Sequence, residues 1–330
     1  MMKIGLVYDL RDDYLAEGCT PEQVAEFDSE NTISALERTI RSLGYRTVRI
    51  GNARALAKAL VAGERWDLVF NIAEGLNGRS REAQVPAMLE LYNVGYCLSD
   101  PLVCAVTLDK AVTKRLVQSA GLATPGFCVV SSPGEIELVK LDFPLFAKPV
   151  AEGTGKGVDV RSHIDSPEDL RRTCLHLLER FGQPVLVEEF LPGREFTTAI
   201  LGSGHDAWAL GTMEVEILNA AGPSIYSYES MVECEMVCRF CPLREPALKA
   251  PIEELALKCY RLLECRDAGR VDVRLDRAGR PSFLEINPLP GMHPKHSDLP
   301  MIATQEGMSY AELLRTIIDN AKRRLGSAHG

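Results

Sequence analysis

In the first hundred residues, short apolar runs alternate with segments of helical periodicity, and this alternation limits the possible folds more than any other feature. KIGLVYDL (3–10), RTVRI (46–50) and DLVFNI (67–72) read as strands. A helix from about Asn31 to Leu43 presents Ile33, Leu36, Ile40 and Leu43 on one face and stops at Gly44. ARALAKALVA forms a second helix, and a third surrounds EAQVPAMLELY. Strands separated by helices predict a parallel, doubly wound sheet.

From about Thr107 the pattern changes. A helix through LDKAVTKRLVQSA ends near Gly121, and FCVV, PLFAKPV and GVDVRS read as strands. Another helix opens at Ser166, Pro167, Glu168 and Asp169, where a capping hydroxyl precedes proline and acids of the first turn. VLVEEFL (185–191) leads into strands FTTAILG, WALGTMEVEI, RVDVRLD and SFLEINP, the last two joined by a RAGR turn. Helices near 247–264 and 309–325 complete the chain. The expected units are 1–106, 107–190 and 191–330.

Charge narrows the function. A net charge of −9 and a pI near 5.3 argue against a nucleic-acid partner, which would need a basic surface. No apolar run approaches the ~18 residues of a membrane span, and MMKIGLVYDL lacks the pattern of a secretory leader, so the expected compartment is the cytoplasm.

Three stretches carry chemistry. In AKPVAEGTGKGV (147–158) a lysine on a strand precedes a glycine-rich loop, which lets backbone N–H groups approach phosphates; a flexible hairpin is the other reading. Asp272, Glu285 and Asn287 lie on two neighbouring strands, with Glu285 and Asn287 on one face. Three hard oxygen donors suit Mg²⁺, whose remaining ligands come from water and substrate phosphates; a solvated strand face is the alternative. VEEFLPGREF (187–196) offers strand-end backbone for a purine edge and an acid for ribose.

In this order, with LDK at 108–110, GRVDVRLD, EINPLPGM and the helix after MSYAELL, these stretches resemble the ATP-grasp superfamily, and within it the D-alanine–D-alanine ligase family. The resemblance covers almost the whole chain. It implies an α/β (overall α+β) ATP-grasp fold: a Rossmann-like parallel-sheet domain, a small lid domain and a larger antiparallel-sheet domain. It also implies ATP and two Mg²⁺ ions, with Mn²⁺ as a substitute, and carboxylate–amine ligation through an acyl phosphate. Lys110 and Lys148 would contact phosphates beneath a lid of Gly153, Thr154 and Gly155. Glu188, Glu189, Phe190 and Leu191 would line adenine, and Glu195 would take ribose. Asp272, Glu285 and Asn287 would hold the metal. Arg270 would face the transferring phosphoryl group and the tetrahedral intermediate, and Gly291 and Ser297 would border the acceptor. The implied partners are amino acids or peptide-like small molecules, and a homodimer is an expectation. The competing functions are a catalytically weak ATP-binding regulator and a ligase for a larger peptide-like substrate.

Three departures affect substrate recognition. The family's Glu-x-Glu-x-Ser run has no direct counterpart; Glu26, Asp28 and Ser29 are candidates to hold a substrate ammonium, or form an acidic helix start. The His-Gly-x-x-Gly-Glu loop becomes Glu74-Gly-Leu-Asn-Gly-Arg79-Ser-Arg81-Glu82, in which Arg79 either forks onto a substrate anion or is an exposed loop side chain. The mobile-loop lysine is replaced by Met231, and Lys156 is a candidate to supply the missing charge.

The run VECEMVCRFCP spaces Cys234, Cys238 and Cys241 as C-x3-C-x2-C, a pattern that could hold an iron–sulfur cluster. On a strand the three would not face one way, and no fourth ligand is evident. The other cysteines are single and apolar in context. Metal analysis of the purified protein should therefore find no stoichiometric iron or zinc.

Overall fold

A computed structural model describes residues 1–217 and 238–327. The Tyr226–Val232 loop with Met231, and the Cys234 and Cys238 side chains, lie outside the described residues. The structure contains three sheets. In the first, β1 (Lys3–Val7), β2 (Arg46–Gly51), β3 (Leu68–Asn71) and β4 (Tyr96–Cys97) run parallel in the order β2-β1-β3-β4. Its helices are α1 (Arg11–Ala16), α2 (Glu30–Ser42), α3 (Ala53–Val61) and α4 (Gln84–Leu91). Ser29 caps α2 by accepting from the Thr32 N–H at 3.3 Å, which places Ile33, Leu36 and Ile40 on its buried face.

Helices α5 (Pro101–Leu108) and α6 (Lys110–Ser119) lead to the second sheet. There β5 (Phe127–Val130), β6 (Leu145–Pro149), β7 (His163–Ile164) and β8 (Val185–Glu189) pair antiparallel in the order β5-β8-β6-β7, backed by α7 (Pro167–Phe181). The expected strand GVDVRS is instead a 3-10 turn at Val160–Ser162 before the short β7. Asp159 accepts from the Arg161 N–H, and Ser162 Oγ accepts from the Asp159 N–H, which closes the backbone into a turn.

The third sheet contains β9 (Glu195–Leu201), β10 (Trp208–Ile217), β11 (Cys238–Pro242), β12 (Ala268–Leu275) and β13 (Pro281–Asn287), antiparallel in the order β11-β10-β9-β12-β13. Helix α8 (Pro246–Leu262) packs on it, and α9 (Asp298–Gln305) and α10 (Tyr310–Ser327) follow. The sequence reading passed over α1, α5 and α9. Each is eight residues or shorter, too short for a clear 3.6-residue period, although Asp100 before Pro101 is a legible start for α5.

The last helix does not stay with the third sheet alone. Leu313, Leu314, Ile317, Ile318 and Ala321 share one core with Ile33, Leu36 and Ile40 of α2 and with Ile4 and Leu6 of β1. Residues beyond 306 thus complete the core of the first unit. No described helix is long and apolar enough to cross a membrane.

One buried charge pair joins α6 to the second sheet. Lys114 is fully buried, and its Nζ lies 2.9 Å from Glu188 Oε2 as an ion pair that lacks hydrogen-bond alignment. The same ammonium donates to Thr124 Oγ1 at 3.0 Å and to the Phe283 carbonyl of β13 at 3.3 Å. Burial pulls the lysine's pKa down and Glu188 opposes it. Lys114→Met keeps the stem and leaves Glu188 without this partner, so urea denaturation should show a loss of about 3–5 kcal/mol. A change below about 1 kcal/mol would mean the pair is dispensable.

Candidate active site

The second and third sheets meet along a cleft. Lys148 projects from β6, Glu188 from β8, Glu195 from β9, Arg270 and Asp272 from β12, and Glu285 from β13, while Lys110 opens α6. Lys148 Nζ lies 3.2 Å from Glu285 Oε2 and 3.7 Å from Glu188 Oε1, and Lys110 Nζ lies 3.8 Å from Glu285 Oε2. Lys110 also donates to the Glu152 carbonyl. Burial would raise the Glu285 carboxyl, but Lys110, Lys148 and Arg270 outweigh it and hold it well below the usual range. Burial likewise works against the Lys148 charge, yet Glu188 and Glu285 raise its pKa. Gly153, Thr154 and Gly155 form one wall. A Cβ at Gly153 would sit 2.3 Å from Glu26 Oε1, so any side chain there would have to displace the Glu26 carboxylate.

A further wall of the cleft comes from the end of β8 and the loop beyond. Glu188, Glu189, Phe190 and Leu191 line it, with the Arg274 guanidinium 5.2 Å over the Phe190 ring. Arg274 also pairs with Glu195 at 3.1 Å. Burial raises the pKa of Glu195, against the pull of Arg274 and Lys148. Arg270 pairs with Asp272 and lies 3.4 Å from Asp298, while Thr197 donates to Asp272 at 2.9 Å. Burial pushes Asp272 up to about 6; Arg270 opposes this and Glu285 adds to it.

A second cavity of about 470 Å³ adjoins the cleft and shares Gly153, Thr154, Arg270, Glu285 and Asp298 with it. Glu26, Asp28, Asn287, Gly291 and Ser297 line it. Glu26 is engaged by cations: Arg81 donates to both its oxygens at 3.0 Å, and Lys156 donates at 2.8 Å. Burial would raise its carboxyl, but Arg81 and Lys156 bring it below the usual range. Ser297 Oγ accepts from the His293 N–H at 3.0 Å, and a Cβ at Gly291 would approach that oxygen to 2.7 Å.

Arg79 does not enter either space. Its side chain is 76% exposed and pairs with Asp109 at 2.6 Å, at the edge of a separate hollow. The loop directs Arg81 inward instead. Sequence reasoning gave no role to Arg81 or Glu82 and passed over Asp298. The signal for the first two was a charged Arg-Glu pair just ahead of an apolar helix.

The oxygen donors fit a hard cation. Asp272 lies opposite Glu285 across β12 and β13, and Asn287 lies opposite Arg270. Asn287 Oδ1 accepts from the Leu289 N–H at 2.9 Å and keeps a second lone pair. Among the described residues no three His, Cys, Asp or Glu side chains gather around one point. Two carboxylates and an amide are a partial set, the kind Mg²⁺ completes with phosphate and water oxygens. Cys241 is a free thiol, partly buried.

Residues 116–319 match the family described as D-ala D-ala ligase C-terminus. The chain belongs to the D-alanine–D-alanine ligase family. It is 37% identical over 278 residues to the D-alanine–D-alanine ligase of Bordetella petrii, covering 83% of this chain and 81% of that one. It is 33% identical over 291 residues to the Aquifex aeolicus D-alanine–D-alanine ligase, covering 88% and 94%. The fold matches that of the Bacillus anthracis D-alanine–D-alanine ligase complexed with ATP, with a TM-score of 0.73 at 22% identity over the full length of both chains. The chain is accordingly an ATP-dependent ligase of the D-alanine–D-alanine ligase type, with the ATP-grasp arrangement of a parallel sheet and two antiparallel sheets.

Against that family background, Glu82 stands out. It is only 7% exposed and lines the second cavity. Burial pushes it up to about 7, opposed by Arg81 and reinforced by Glu26. A carboxyl raised in the folded state contributes its full stability below its unfolded value near 4.5 and loses it as pH rises towards 7. Glu82→Gln mimics the protonated acid and should flatten that decline. At pH 8 the variant should unfold later in urea, by on the order of 1–3 kcal/mol, with little difference at pH 4.5. Equal pH slopes for the two proteins would contradict this.

Proposed function

We propose that the protein joins a substrate carboxylate to an amine, using ATP to form an acyl phosphate and releasing ADP and phosphate. The observation that carries this reading is the convergence of Lys110, Lys148, Arg270, Asp272 and Glu285 on one cleft that opens directly into a second cavity. Adenine would lie along Glu188, Glu189, Phe190 and Leu191, with ribose at Glu195. The phosphates would extend towards Lys110 and Lys148 beneath Gly153, Thr154 and Gly155. Asp272, Glu285 and Asn287 would hold Mg²⁺, two ions replaceable by Mn²⁺, which when bound neutralises phosphate charge.

The acid lies in the second cavity, where its carboxylate oxygen attacks the γ-phosphorus and ADP leaves. The amine then attacks the acyl carbon, loses a proton and displaces phosphate. Arg270, shared by both spaces, donates to the oxyanion that forms at each step. Asp272 and Asp298 hold the guanidinium in place from two sides. The chain's task is to position two reactants and stabilise charge, as in other phosphoryl transfers. Lys156 lines the cleft with its ammonium paired to Glu26 and Glu152, so supplying charge to a phosphate would require it to leave these acids.

The test is phosphate release from Mg²⁺-ATP with D- and L-amino acids, singly and in pairs, with product masses determined. Release should require an amine acceptor. Arg270→Ala should lower kcat by ~10²–10³, the loss expected for an oxyanion donor. Near-normal turnover in the variant would remove Arg270 from the mechanism, and release with no pair would sink the dipeptide reading.

A further inference from the structure

Acids outnumber arginines around the second cavity: Asp28, Glu74, Glu82, Glu285 and Asp298 line it together with Arg11 and Arg270. Glu26, the acid that sequence reasoning offered to a substrate ammonium, is already held by Arg81 and Lys156. The Arg81 guanidinium is directed at Glu26 and the Ala151 carbonyl, not at its neighbour Glu82. Among the described residues no hydrogen bond or close ion pair reaches the Glu82 carboxylate, and Arg81, Lys110 and Lys156 act on it only through longer-range charge. More than nine-tenths of the residue is buried, yet its oxygens retain access to the cavity it lines. Glu74 is partly buried and lines the same cavity, its pKa raised by burial and by Glu82 and Glu26. Asp28 differs: it has Arg11 nearby and accepts from Thr32.

We propose that Glu82 and Glu74 form an ammonium-binding subsite, and that the second cavity takes an amino acid carrying a second amine on its side chain. Buried carboxylates without a cation are costly, and a ligand ammonium supplies the missing charge and hydrogen bonds. An α-ammonium brings three donors but one positive charge, so the second carboxylate beside it keeps its charge uncompensated. Two positive groups match the pair, while the α-carboxylate turns towards Arg270, where the ligase reaction begins. Arg81 makes this possible: it ties up Glu26 and so moves recognition from the helix start to the loop after β3. The inference rests on the ligase reading only for that orientation.

The experiment is isothermal titration of the full chain with D- and L-ornithine, D- and L-lysine and D- and L-alanine. Each titration is run with and without a saturating nonhydrolysable ATP analogue. One basic amino acid should bind at least about tenfold tighter than alanine of the same chirality. Glu82→Gln should abolish that preference, and Glu74→Gln should weaken it. Titration with the ATP analogue verifies that each variant is folded. Alanine binding as tightly as the basic probes, a preference that survives in Glu82→Gln, or no binding of any basic probe would overturn the subsite. Failure of the wild type to bind the ATP analogue would count against the ligase reading alone, because amine binding is also measured without nucleotide.

Discussion

Everything at the centre of this molecule depends on lysines buried against carboxylates where two antiparallel sheets meet. Lys114, Lys148 and Lys110 reach across to Glu188 and Glu285, and no one of these side chains has a partner only within its own element. Such groups are tolerated in an interior only in company, because each unpaired charge would cost several kcal/mol. The pairing therefore determines how the sheets approach each other, and it holds ammonium groups ready along a cleft suited to phosphate. The acids that fix those lysines are also the residues best placed to take a hard cation, so stability and ligand binding draw on the same atoms.

Much of this was legible in the sequence. Period-2 and period-3.6 patterns marked the long elements, and the resemblance placed Lys148, Glu188, Arg270, Asp272 and Glu285 in one neighbourhood, where the structure also brings them. The misses have physical causes. GVDVRS has the composition of a strand, but Asp159 and Ser162 satisfy each other's backbone and form a turn. In the loop after β3, no periodicity distinguishes Arg79 from Arg81. One points to solvent and the other into a buried acid, and only three-dimensional packing decides between them. The unpartnered state of Glu82 is likewise a property of what does not come near it, which no linear pattern records.

In the second cavity Arg81 binds Glu26, while Glu82 beside it has no hydrogen-bond partner among the described residues, so the acid open to a substrate comes from the loop after β3. The folded chain bears a cost for this, since carboxyls such as Glu82 and Asp28 are held well above their ordinary range by burial. Such a cost persists where it serves recognition, and Asp272 and Glu195 bear it too in the adjoining cleft.

The core shared by α2 and α10 has a bearing on biosynthesis. Ile33, Leu36 and Ile40 leave the ribosome about 270 residues before the apolar face that covers them, from Leu313 to Ala321. At synthesis rates of about 5–20 residues per second, that face is missing for some fifteen seconds to a minute. During that interval the nascent first unit displays an uncovered greasy stripe. This makes the growing chain, more than the finished enzyme, a natural client for chaperones that hold exposed apolar helices.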